Sequence, residues 1–203
     1  MSSAAVSADL ILGSPPPAPP ERPRVLVIGT SLGVAAMLLA FGGLIGVYIQ
    51  ERATVLHTGQ TWLPTGGDIP TMPGTVALIG LGFSAVTMMW AHWAIGHDDR
   101  PRAYMALGIT AVLGLAFINS MAFFIIQSGL NVHSTTGLLI YTLIGAEMVA
   151  VGAGLLFLGV TAFRTLGGQY SSADTEGVTA ATIYWFATVA VFFGLWLLIF
   201  IEK

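Results

Sequence analysis

The chain has no cysteine. Disulfides, thiolate metal sites and cysteine nucleophiles are therefore excluded, while the compartment stays open. Charge is also scarce: seven Lys and Arg and ten Asp and Glu among 203 residues, a net charge of −3. A charge so small and dispersed does not attract nucleic acid or a strongly charged partner. There are four histidines, and of these only His92 falls inside an apolar stretch, at its end; His57, His97 and His133 lie between stretches. A bis-histidine haem or a copper ion held by converging His and Met has no ligand set in such a pattern. Acids, bases and nucleophiles are not clustered either, so no catalytic, cofactor-binding or metal-binding residue is assigned. Gly66-Gly67-Asp68 reads as a turn, since no Lys-Ser/Thr pair follows it as a phosphate loop requires.

What the chain does have is apolar length. Five stretches, Val25–Ile49, Gly74–Ile95, Ala103–Gln127, Thr135–Phe163 and Val178–Ile201, together contain a single charged residue, Glu147. About 20 apolar residues in a helix cross the hydrocarbon core. Lipid offers no partner to a backbone amide, so stretches of this length are expected to be helices. The composition, 55% hydrophobic and 8% charged, agrees. The predicted fold is all-α: a polytopic bundle of five transmembrane helices over residues 25–203. Residues 1–24, with the run Ser14-Pro15-Pro16-Pro17-Ala18-Pro19-Pro20, are expected to form a disordered, proline-rich cytoplasmic tail. With the N-terminus inside, Arg22, Arg24, Arg100, Arg102 and Arg164 lie on the inner side and Arg52 and Lys203 on the outer. This bias predicts N-terminus in and C-terminus out. Trp90, Trp93, Tyr104 and Trp185 would then gather at the inner interface, and Tyr48 and Tyr141 at the outer one. The loop from Gln50 to Pro73, with Trp62, Pro64 and Pro70, is expected to fold against the outer surface.

Glu147 sits near the membrane midplane, where an acid costs about 2.5–3.5 kcal/mol and faces the bundle interior. Burial favours its uncharged form. Asn119 lies at a similar depth on the preceding helix, and a Glu147–Asn119 hydrogen bond is predicted. Two readings stay open: a proton-handling or lipid-contacting carboxyl, or a neutral interhelical bond that holds the bundle. His92 is expected to be an interfacial side chain between Trp90 and Trp93. Gly29-x3-Gly33, Gly42-Gly43-x2-Gly46 and Gly152-x-Gly154 are expected to let helices pack closely.

From Val25 to Ile201 the order of motifs resembles subunit III of haem–copper oxidases (cytochrome c oxidase), in the short bacterial form with five helices. The similar segments are Phe41-Gly42-Gly43-Leu44-Ile45-Gly46-Val47-Tyr48, Trp62-Leu63-Pro64 with Pro70, Ser84-Ala85-Val86-Thr87-Met88-Met89-Trp90-Ala91, Leu113-Gly114-Leu115-Ala116-Phe117, Tyr141-Thr142-Leu143-Ile144-Gly145, Gly152-Ala153-Gly154-Leu155-Leu156 and Tyr184-Trp185. The family's polar residues inside the membrane are replaced, which marks a divergent member. Ala36-Met37 stands for a Ser and a buried Glu, and Phe123-Phe124 for a Tyr-Glu pair. Glu147 and Ala150 stand for two His, and Phe186 and Val189 for a His and an Asp.

The resemblance implies a non-redox component of an oxygen-reducing, proton-moving complex in a bacterial plasma membrane. It implies no cofactor on this chain, with haem and copper in the partner. The implied partners are the catalytic subunit I, subunit II and membrane lipids. An accessory subunit of a nitric oxide reductase, and a free-standing small transporter or scaffold, are the alternatives.

Overall fold

The computed structural model describes residues 24–63 and 67–201. The expected tail lies outside the described residues apart from Arg24, as does Pro64. Five helices carry the fold: α1 Val25–His57, α2 Thr71–Gly96, α3 Arg100–Ser128, α4 Thr135–Leu166 and α5 Glu176–Trp196, the last continued by a π-helical turn, Leu197–Ile201. Each of the five, with α5 and its turn taken together, is long and apolar enough to span a membrane.

The helices outrun the apolar stretches because water, unlike lipid, tolerates polar residues in a helix. With 33 residues, α1 is about 50 Å long, against about 30 Å of hydrocarbon. Its final turns, past Ile49, carry Glu51 and Arg52 outside the apolar stretch. The connection to α2 shrinks accordingly to residues 58–70. The starts of α3 and α4 are set by capping. Asp99 accepts from the Arg102 amide at 3.3 Å and pairs with its guanidinium at 2.7 Å, and Ser134 accepts from the Gly137 amide at 3.1 Å. Gly129, at φ +59°, turns the chain out of α3 in the left-handed region that glycine adopts freely.

The centre of the bundle is α5, in contact with α1, α2 and α4, while α2 and α3 pair along their length. Trp185 is the residue where four helices meet. Its indole nitrogen donates to Ser84 Oγ of α2 at 2.9 Å, and Ser84 donates in turn to the Leu81 carbonyl at 2.6 Å. A methyl group added at Gly114 of α3 would lie 2.8 Å from the indole, and one at Gly154 of α4 would lie 3.1 Å from it. Two glycines on separate helices therefore make the slot the ring fills. Trp185 is only 2% exposed, so it belongs to the core and not to an interfacial aromatic belt. It lies well inside α5, about 14 Å from the start, where the neighbouring helices enclose it.

Of the glycines expected to bring helices together, only Gly154 does so. Space is open around Gly29, Gly33, Gly42, Gly43, Gly46 and Gly152. The reason for α1 is that it buries a single stripe, Val34, Phe41 and Tyr48, and its glycines face elsewhere.

Both ends of α1 are fastened from outside. At the start, no side chain of Arg24 caps the helix. The Glu176 carboxylate, first residue of α5, instead accepts from the amides of Leu26 at 2.7 Å and Val27 at 3.3 Å. Two of the four orphan amides and the positive end of the helix dipole are thereby satisfied. Towards the other end, where its apolar stretch closes, Tyr48 receives the Trp62 indole N–H at 3.1 Å, with the rings edge to face at 5.3 Å. The Trp62 carbonyl accepts from Thr136 of α4 at 2.8 Å. Trp62 and Ile69 are buried, so the described parts of the 58–70 connection do fold against the bundle. Glu176→Ala is expected to lower unfolding free energy by about 1 kcal/mol, read by detergent denaturation, with α1 released first in hydrogen exchange.

Candidate functional site

Glu147 projects from the inward row of α4, which also holds Ile140, Leu143, Ile144, Ala150, Val151 and Gly154. It lies about 18 Å from the start of the helix. Its side chain is fully buried, and neither carboxyl oxygen has a hydrogen-bond partner among the described residues. Tyr184 of α5 packs one turn away, donating to the Ala150 carbonyl at 2.9 Å. Thr188, also buried on α5, gives its proton to the Tyr184 carbonyl at 3.0 Å. These two hydroxyls of α5 are thus committed to backbone, and the carboxyl is left without a partner among the described residues.

The predicted bond to Asn119 does not form. Asn119 is exposed on the outer face of α3, whereas Glu147 is sealed inside. The cause is helical rotation. Gly114, Phe117, Met121 and Phe124 are the buried row of α3. Asn119 follows Phe117 by two residues, about 200° around the helix. Equal depth put the two residues level, but on opposite sides of α3. A sealed carboxyl also contacts no lipid, so the lipid-contacting reading of Glu147 fails with the bond.

His92, half-buried on α2, reaches across to Thr179 of α5 at 3.0 Å. The same Thr179 hydroxyl also reaches the Thr175 carbonyl at 3.0 Å. His92 is a link between the end of α2 and the start of α5, and not only a side chain between two tryptophans. Trp93 stacks instead on His97, with centroids 4.3 Å apart. Deeper, Thr87 and Thr110 join α2 to α3 at 2.7 Å. Glu147, Asn119 and His92 are therefore three separate places. Among the described residues no three His, Asp or Glu side chains come together.

Sequence reasoning missed the Ser84–Trp185 and Thr87–Thr110 links; the only signal for them was the hydroxyls placed between bulky apolar neighbours. Asp98 clasps the loop between α4 and α5, accepting from Ser172 N–H at 2.8 Å and Ser172 Oγ–H at 2.6 Å, with φ at +55°. The Ser172 hydroxyl and amide hold the Asp98 carboxyl below its ordinary value of 3.8. A carboxyl lowered on folding stabilises above its unfolded value and loses that contribution as pH falls through the folded one. The Ser172 amide is therefore expected to stay protected at neutral pH and to lose protection only below about 3.8, and Asp98→Asn to remove that acid step.

The family model for cytochrome c oxidase subunit III matches residues 23–202. The chain is 32% identical to cytochrome c oxidase subunit 3 of Strongylocentrotus purpuratus over 155 residues, covering 74% of this chain and 59% of that protein. Against the same-named protein of Pelomedusa subrufa it is 28% identical over 186 residues, 89% of this chain and 71% of the relative. Against that of Corynebacterium diphtheriae it is 24% identical over 184 residues, 89% of each chain. The chain thus spans about 59% of the sea urchin protein's length and nearly all of the bacterial one's.

Proposed function

This chain belongs to the cytochrome c oxidase subunit III family, and we propose that it serves as a non-catalytic subunit of a cytochrome c oxidase complex in a bacterial plasma membrane. In this role it binds no haem or copper itself. It packs against the catalytic subunit that holds them, with subunit II in the same assembly, and supports the assembly and stability of a complex that reduces oxygen and moves protons. The observation that carries the reading is the match over residues 23–202, which takes in all five helices. The bacterial relative, matched over 89% of each chain, supports the bacterial membrane. The inner and outer arginine counts support an inward N-terminus.

Within this role Glu147 handles a proton. A lone sealed carboxyl makes no contact that holds helices together and costs about 1–3 kcal/mol as an unsatisfied group. A packing role would favour an apolar residue there. His92 tethers α2 to α5 at the inner end.

Deleting the chain from its native cells tests the reading. Membranes are expected to retain oxygen consumption at first and lose it faster during sustained turnover, with less assembled oxidase. Unchanged oxidase content and lifetime would overturn it.

A further inference from the structure

Asn119 presents a carboxamide to the membrane about 13 Å from the outer end of α3, deep in the hydrocarbon. It is exposed, and neither Asn119 nor the adjacent Ser120 makes a side-chain hydrogen bond with any described residue. Outward hydroxyls elsewhere turn back on their own helix: Ser31 to the Val27 carbonyl at 2.8 Å and Thr142 to the Leu138 carbonyl at 2.7 Å. A carboxamide two bonds from the helix backbone offers both donors and an acceptor, and lipid tails answer neither. Polar side chains at this depth face another helix.

The two residues line a groove of about 290 Å³ between the start of α2 and the end of α3, with Met72, Val76, Phe123 and Gln127 around them. We infer that this groove receives a transmembrane helix of another subunit of the same oxidase, carrying a side chain that hydrogen-bonds Asn119. The inference rests on the proposed function and adds to it the face and the atom of contact. Depth argues against a lipid headgroup, which stays at the membrane surface while Asn119 lies about 12 Å inside the end of the apolar stretch at Gln127. Shape argues against a second copy. A two-fold contact sets the same patch on itself, and a groove against a groove leaves the carboxamides apart. A ridge of side chains from a different helix fills the groove and reaches its floor.

A photoreactive amino acid at Phe123, which is 54% exposed and lines the groove, tests this in native membranes with the whole complex. The same probe at Leu156, 76% exposed on α4, is the comparison. The expected product links position 123, and not position 156, to a membrane helix of another oxidase subunit. In parallel, Asn119→Leu is expected to reduce the share of chain kept with the oxidase through detergent washing by about 3- to 20-fold, the effect of one interhelical hydrogen bond. Asn119→Gln, which keeps the amide, is expected to restore much of it. Cross-linking only to phospholipid or to a second copy, with Asn119→Leu retained like the parent, would overturn the inference while leaving the proposed function intact. Failure of the unmodified chain to accompany any haem-containing subunit would overturn both.

Discussion

Replacing Trp185 with alanine destabilises the bundle by about 3 kcal/mol, the low end of the range for emptying a buried tryptophan site. The low end applies because separated helices in a membrane still rest in hydrocarbon, so little transfer free energy is lost. What remains is the cavity. Gly114 and Gly154 have no side chain that could relax into the space, and four helices border it. Trp185→Phe keeps most of the ring and loses the N–H to Ser84, which costs about 1 kcal/mol. Filling the slot from the other side is also unfavourable. Gly154→Val places a methyl 3.1 Å or less from the indole and is expected to cost about 1–3 kcal/mol. Unfolding in mixed detergent micelles, followed by circular dichroism, ranks the three variants. Wild-type stability in Trp185→Ala would show that the helices do not meet at this residue.

Replacing Glu147 with methionine has the opposite sign. The two side chains are close in length, and methionine brings no unsatisfied oxygen into a site sealed from solvent. Stability is expected to rise by about 1–3 kcal/mol. A gain in stability together with a shorter functional lifetime of the assembled oxidase would place Glu147 in proton handling. Glu147→Gln separates charge from shape: it is expected to assemble normally and to reproduce the functional loss. Unchanged assembly and turnover in Glu147→Gln would contradict a functional carboxyl.

The two residues also show how far sequence reaches in a membrane protein. Five helices were legible because hydrocarbon imposes length and apolarity together, and Glu147 stood out as the one charge inside the apolar stretches. Helix ends were not legible, since segments such as Gln50–His57 remain helical in water after the hydrophobic signal has ended. Depth could be counted along each helix, but rotation could not. The inward row of α3, Gly114, Phe117, Met121 and Phe124, is as apolar as its outward neighbours Val112, Leu115 and Phe123. With lipid outside and core inside equally greasy, hydrophobic periodicity carries little information about facing. The Glu147–Asn119 pairing failed for this reason. Trp185 was assigned to the interface by residue type, when the better signal was small residues on neighbouring helices at its level. The family resemblance rested on motif order, which survives such errors of rotation.

Affinity purification of the tagged chain from native membranes in mild detergent, read by its reduced-minus-oxidised visible spectrum and by the identity of what accompanies it, tests the central claim most directly. The account predicts a haem spectrum including a high-spin haem, with a large multi-helix haem–copper subunit at near equal amounts. A pure chain with no haem and no such partner would contradict it, and would point to a free-standing membrane protein.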